Sequence, residues 1–157
     1  MLKRIIGQEP RDVMPSNPRW LQVDALAQVE VSSEDDAHPI ESALIPGAEL
    51  GWRAGGPGQQ TIRLLFDEPQ RIKHLHLEFH EDQWERTQQF VLRWSSDRGQ
   101  SYREIVRQQY NFSPAATTSE CEDYAVNLDR VTTIELSIIP DISGRPGRAS
   151  LAQLRLG

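Results

Sequence analysis

The sequence predicts an all-β fold, an antiparallel β-sandwich of the jelly-roll type. Three observations predict it. Short stretches of alternating apolar and polar residues recur along the chain. Clusters rich in Gly, Pro, Asp and Asn separate them, and no stretch holds a helical apolar period over an ordinary helix length. About eight short strands at this spacing suit a sandwich, and the intervals are too short for the crossover helices of a parallel sheet.

Residues 1–28 carry Pro10, Pro15 and Pro18 with little periodicity. They read as an N-terminal arm that packs along the domain through Trp20 and Leu21. The jelly-roll domain then spans 29–157. "VEVSS" (29–33) alternates as a strand does. Residues 34–58 form a long irregular stretch with several prolines and glycines. Such a loop in a compact domain is usually functional or held by its own packing. "TIRLLF" (61–66) places Ile62, Leu64 and Phe66 on one side. "IKHLHLEF" (72–79) does the same with its leucines. "FVLRWSS" (90–96) aligns Phe90, Leu92 and Trp94, so Trp94 is expected in the core. "SYREIV" (101–106), "DYAVNL" (123–128), "TTIELSII" (132–139) and "SLAQLRL" (150–156) complete the set. "DEPQ", "SDRGQ", "NLDR" and "PDISGRPG" supply turns, and Gly99 gives the hairpin a residue free to take positive φ.

Composition narrows the function. The chain has 157 residues, one domain's worth, enough to bury a core without disulfides. Its formal net charge is −6, which argues against duplex DNA as a partner, since phosphate binding needs excess cation. Of the 17 basic residues 15 are Arg, a bias toward forked, specific ion pairing. Cys121 is the one cysteine, so no intrachain disulfide or zinc ribbon is possible. The acidic neighbours of Cys121 raise a thiol pKa and disfavour a nucleophile. No apolar run has the length of a signal peptide or a membrane span. The expectation is a cytoplasmic protein with no membrane partner.

"KHLHLEFHE" (73–81) holds three of the four histidines. On a strand His74, His76, Glu78 and His80 share one face, and Leu75, Leu77 and Phe79 share the other. A His-x-His pair can clasp one metal, and the spacing resembles the first half of the cupin motif. The cupin glycines are absent, however, and no later histidine supplies the second half. His74 and His80 lie about 20 Å apart along a regular strand, so convergence requires a bulge. A small metal-dependent, cupin-like enzyme therefore depends on that bulge. Without it these residues are the solvated side of a half-buried strand.

Three stretches together, 42–66, 89–112 and 131–156, resemble the galactose-binding-domain-like superfamily, the discoidin or coagulation-factor type C jelly roll. The matching pieces are Trp52 ahead of the first long strand, the hairpin at 95–99 and the closing strand at 149–156. A narrower similarity is to the N-terminal domain of the single-strand-break repair scaffold protein. It rests on Ser32, Ser33, His38, Glu41 and the "WRA" of 52–54. The superfamily resemblance implies a buried Trp52 and ligand loops at one end of the sandwich, near 47–56, 80–88 and 108–120. It also implies a structural calcium, for which Asp35, Asp36 and Glu49 fall short of the six to eight oxygens required. No metal or cofactor is expected.

The richest of these loops is "FHEDQWERTQQF" (79–90). Trp84 offers a flat ring for the apolar face of a sugar, with Arg86, His80, Glu81 and Asp82 beside it to bond hydroxyls. Arg53 and Tyr110 are the further candidates from the neighbouring loops. Catalysis finds little frame. Glu81, Asp82 and Glu85 sit on a single loop, whereas glycosidase carboxylates flank a cleft, and no G-x-S-x-G is present. The sequence thus points to a non-catalytic recognition module whose leading ligand is carbohydrate. The alternative is an intracellular protein-interaction or DNA-repair scaffold module.

Overall fold

The computed structural model describes residues 20–48 and 50–157. The expectations for residues 1–19 of the arm and for Glu49 lie outside these. At the start of the described chain the Trp20 ring sits 5.4 Å from that of His74 and 6.2 Å from that of His76. The Leu21 N–H donates to the Leu156 carbonyl at 2.6 Å.

Eight strands follow, all antiparallel in their pairing. They are β1 (Ala27–Val31), β2 (Trp52–Arg53), β3 (Gln60–His80), β4 (Arg86–Ser95), β5 (Arg103–Phe112), β6 (Ser119–Ile139), β7 (Ser150–Leu151) and β8 (Gln153–Leu156). Among the described residues helix is confined to two single turns, α1 (Val23–Leu26) and α2 (Glu41–Leu44). Among the described residues no helix is long and apolar enough to cross a membrane.

The spine is the ladder between β3 and β6, each 21 residues long. Sequence reading divides each into two strands joined by a turn, at "DEPQ" and "NLDR". In the structure each is one continuous strand that bends. Pairing skips between Leu65 and His74, where Pro69 has no N–H to give a ladder and Arg130 takes a φ of 56°. Beyond the bend the two strands continue together. The first half of β3 belongs to the order β1-β3-β6-β4-β5, and its second half pairs with β8. Two layers result. Leu75, Leu77 and Phe79 from the far half look inward and are fully buried, as are Phe90 and Leu92 of β4. The Phe79 and Phe90 rings stack at 5.1 Å between the layers. Trp94, expected inside, is only half-buried and packs against the rim of the core. The strand expected at 101–106 runs on to Phe112, because β5 keeps its register with β4 as far as Arg86.

Strand β2 is too short to show a period in sequence. Trp52 points inward, fully buried, with its ring N–H donating to the Ser33 carbonyl at 3.0 Å. By strand alternation Arg53 then faces outward. The pair is pinned on both sides: the Arg53 N–H donates to the His38 carbonyl, its carbonyl accepts from Asp35, and β7 pairs along the other edge. Gly51 makes this possible. Its φ is +67°, and a Cβ there would stand 2.9 Å from the Leu151 carbonyl oxygen. Gly51→Ala is expected to lower stability by about 1–3 kcal/mol. Gly56→Ala, with nothing within 4 Å of the added carbon, is expected to be near neutral; urea unfolding of the two variants checks this.

Candidate functional site

The loop between β3 and β4, residues 81–85, is anchored from within. The Glu81 N–H donates to the Thr118 carbonyl at 2.8 Å, and the Glu81 carboxylate turns inward. Arg86, the first residue of β4, also turns inward and donates from Nε to Glu81 Oε1 at 2.8 Å. Both side chains are buried, 3 % and 2 % exposed. Arg86 Nη1 donates further to the Pro140 carbonyl at 2.9 Å and to Gln88 Oε1 at 3.2 Å. Its guanidinium lies over the Phe112 ring at 4.7 Å. This is a correction to the sequence reading. Arg86 lines neither of the grooves around Arg53, and Glu81, though it borders one of them, is neutralised by Arg86 rather than free on the surface. What they do instead is clamp its two ends.

Between them Trp84 is 68 % exposed. It rims a groove of about 300 Å3 whose other walls include Arg53, Arg148 and the Arg86-paired Glu81. On the far side of Arg53 a second groove of about 240 Å3 is lined by His38, His80 and Gln83. Arg53 is common to both. The expected residues Trp84, His80 and Arg53 are therefore brought together, and exposed Asp82 joins them 3.6 Å from His80 Nε2. Tyr110 is not. Its hydroxyl donates to the Ser119 carbonyl at 2.8 Å, its ring packs edge-on to Phe112 at 5.0 Å, and it lines neither groove. It is half-buried where Phe112 is fully buried.

Sequence reading misses His38, Gln83 and Arg148. His38 comes from the irregular 34–58 segment, held by its bridge to Asp35 and by the donation from Ile40 N–H to Glu34 Oε2 at 2.9 Å. Arg148 precedes the closing strands, where Ala149 is buried and its carbonyl accepts from Ala54. Alternation around buried Ala149 is the one signal that could have placed Arg148 outside.

The histidine strand resolves differently. From His74 to His80 the ladder with β6 runs without a break, so the bulge that a three-histidine centre requires is not there. His80 belongs to the loop end. His74 Nε2 and His76 Nδ1 both approach Asp123 Oδ1, at 3.3 and 2.7 Å, and His76 Nε2 lies 3.1 Å from Glu78. Burial works to raise the Asp123 carboxyl, but hydrogen bonds from His76 and His74 outweigh it and hold the group below its usual range. Among the described residues no three His, Cys, Asp or Glu side chains are placed to hold a metal ion. A wider depression of about 620 Å3 runs past Leu50, His80 and Cys121 on this face, with Phe79 as its one aromatic residue, and that ring is buried.

Behind the clamp a polar chain continues inward. Gln88 donates from Nε2 to Glu120 Oε1 at 3.2 Å, and Glu120 is 1 % exposed. Burial pushes the Glu120 carboxyl up to about 8, and the adjacent Glu122 adds to the rise.

No protein-family model matches the chain, and no curated relative does. Solved structures do. The family 32 carbohydrate-binding module of C. perfringens NanJ, solved with galactose, aligns with a TM-score of 0.65 at 10 % identity, over 87 % of this chain and 96 % of that one. The likeness is one of fold, the jelly-roll β-sandwich that the strand order also shows. A pectin-binding carbohydrate-binding module shares this jelly roll at a TM-score of 0.59 and 17 % identity, over 84 % and 90 % of the two chains. So does the family 32 module of AlyQ, solved with 4,5-unsaturated mannuronic acid, at 0.56 and 17 %, over 84 % and 95 %. Identities this low carry the fold of the jelly roll and none of its side chains.

Two outcomes follow from the geometry of the clamp. Arg86→Ala leaves the Glu81 carboxylate buried and unpaired, and is expected to cost about 3–5 kcal/mol in chemical unfolding. Glu120 binds its proton more tightly in the folded chain than at its ordinary 4.5, so the stability it contributes is whole below pH 4.5 and lost as pH rises through about 8. Glu120→Gln is expected to flatten that decline, read from melting temperatures measured between pH 4 and 9.

Proposed function

We propose that this jelly roll is a non-catalytic carbohydrate-recognition module that holds a short saccharide in the grooves around Arg53, against the Trp84 ring. The observation that carries the reading is the held exposure of Trp84. A large aromatic side chain would ordinarily gain from burial. Here one buried ion pair, a partner at each end of a short loop, keeps the ring in water, at the rim of a groove edged with hydrogen-bonding groups. A flat apolar ring beside a few convergent polar groups is the composition that fits a sugar, whose faces are apolar and whose edges are hydroxyls.

Two further points support it. The solved jelly rolls that resemble this chain over most of their length are carbohydrate-binding modules, one with galactose and one with an unsaturated mannuronic acid. The loop also offers poor material for hydrolysis. Glu81 is committed to Arg86, which leaves Asp82 and Glu85 on one short loop rather than across a cleft.

Trp84→Ala is expected to abolish saccharide binding in calorimetric titration while leaving unfolding free energy within about 0.5 kcal/mol, as for an exposed side chain. Retained binding would move the ligand off this groove. A collapse of stability would make Trp84 a structural residue and remove the main support of the reading.

A further inference from the structure

We infer that the saccharide this groove selects carries a carboxylate, a uronate unit rather than a neutral sugar. The inference rests on the carbohydrate reading above and adds the charge of the ligand to it.

Arg63 and Arg93 share Glu135, Arg107 pairs with Glu104, Arg145 with Asp141, and Arg86 with Glu81. Seven arginines have no ion-pair partner among the described residues. Of these Arg71, Arg98, Arg103, Arg130 and Arg155 do not line the groove beside Trp84, whereas Arg53 and Arg148 do. These two come from separate elements, β2 and the segment before β7, and they face the same groove beside Trp84. The one carboxylate that borders this groove, Glu81, is held by Arg86, and Asp141 is held by Ser143 and Arg145. The exposed Asp82 and Glu85 of the loop line neither groove. Arg53 is half-buried, so it gives up part of its hydration without a protein anion in return.

A guanidinium presents a planar fork of donors that matches a carboxylate with two parallel hydrogen bonds. Two such forks beside a stacking ring form a site for a flat-faced ring bearing a carboxylate at its edge. A neutral sugar would occupy the Trp84 ring and leave both cations unanswered.

The probe is a pair of oligogalacturonides of one length, one as the free acid and one fully methyl-esterified, titrated calorimetrically into the intact chain, with a neutral galacto-oligosaccharide alongside. A parallel pair of oligomannuronates covers the other ring stereochemistry. The free acid is expected to bind about ten- to a hundredfold more tightly than its ester, the worth of a charge-assisted contact. The margin should shrink with added salt. Arg53→Gln and Arg148→Gln should each narrow it while the melting temperature stays put. Equal binding of acid and ester, or tighter binding of the neutral oligomer, overturns the carboxylate preference and leaves saccharide recognition standing. Failure of every saccharide to bind a folded chain overturns both readings. An acid preference that survives in the two Arg variants overturns the assignment to this groove.

Discussion

The ion pair between Glu81 and Arg86 is the constraint on which the Trp84 end of this protein depends. It is buried, it is made through Nε alone, with Nη2 left without a partner, and Nη1 reaches on to Pro140 and Gln88, so one guanidinium ties the loop after β3 to the segment after β6 and to the interior of β4. Burying two charges gains little over a well-packed apolar pair of the same volume. Its value here is positional. A loop with both ends locked to the core can hold an aromatic residue in water without letting it fold back onto apolar surface.

The long ladder of β3 and β6 sets the frame around that clamp. Because both strands bend at the same place, one pair of strands contributes to both layers, and the layers meet through Phe79 and Phe90. The bend consumes the irregular residues, Pro69 and Arg130, at the end away from the grooves. The regular half delivers His80 and Glu81 in fixed register. Likewise the buried Trp52 and the close approach of Gly51 to β7 deliver Arg53. The groove residues thus come from four places in the chain, each held by something buried one or two residues away.

The interior near the clamp is polar to an unusual degree, running from Arg86 through Gln88 to Glu120 and Glu122. A carboxyl pushed up to about 8 in such a place is carried mostly neutral at ordinary pH, which lowers the cost of burying it. The same network that positions the loop makes the fold sensitive to alkali.

The strand alternation, the turn chemistry at Gly99 and the inward rows at 62–66, 75–79 and 90–92 are local properties, and the sequence by itself determined them, together with the all-β class. It also marked Trp84, His80 and Arg53, because exposed aromatic and polar residues between strands stand out from a periodic pattern. It could not distinguish a turn from a bent strand at "DEPQ" and "NLDR", since a bulge and a turn use the same residues. Nor could it tell a surface acid–base pair from a buried one. Glu81 and Arg86 look like free loop side chains until the partner that faces each is known, and Arg148 looks like nothing until the chain returns to bring it beside Arg53. Burial and convergence are set by contacts between residues far apart in the chain, so only the tertiary structure decided them.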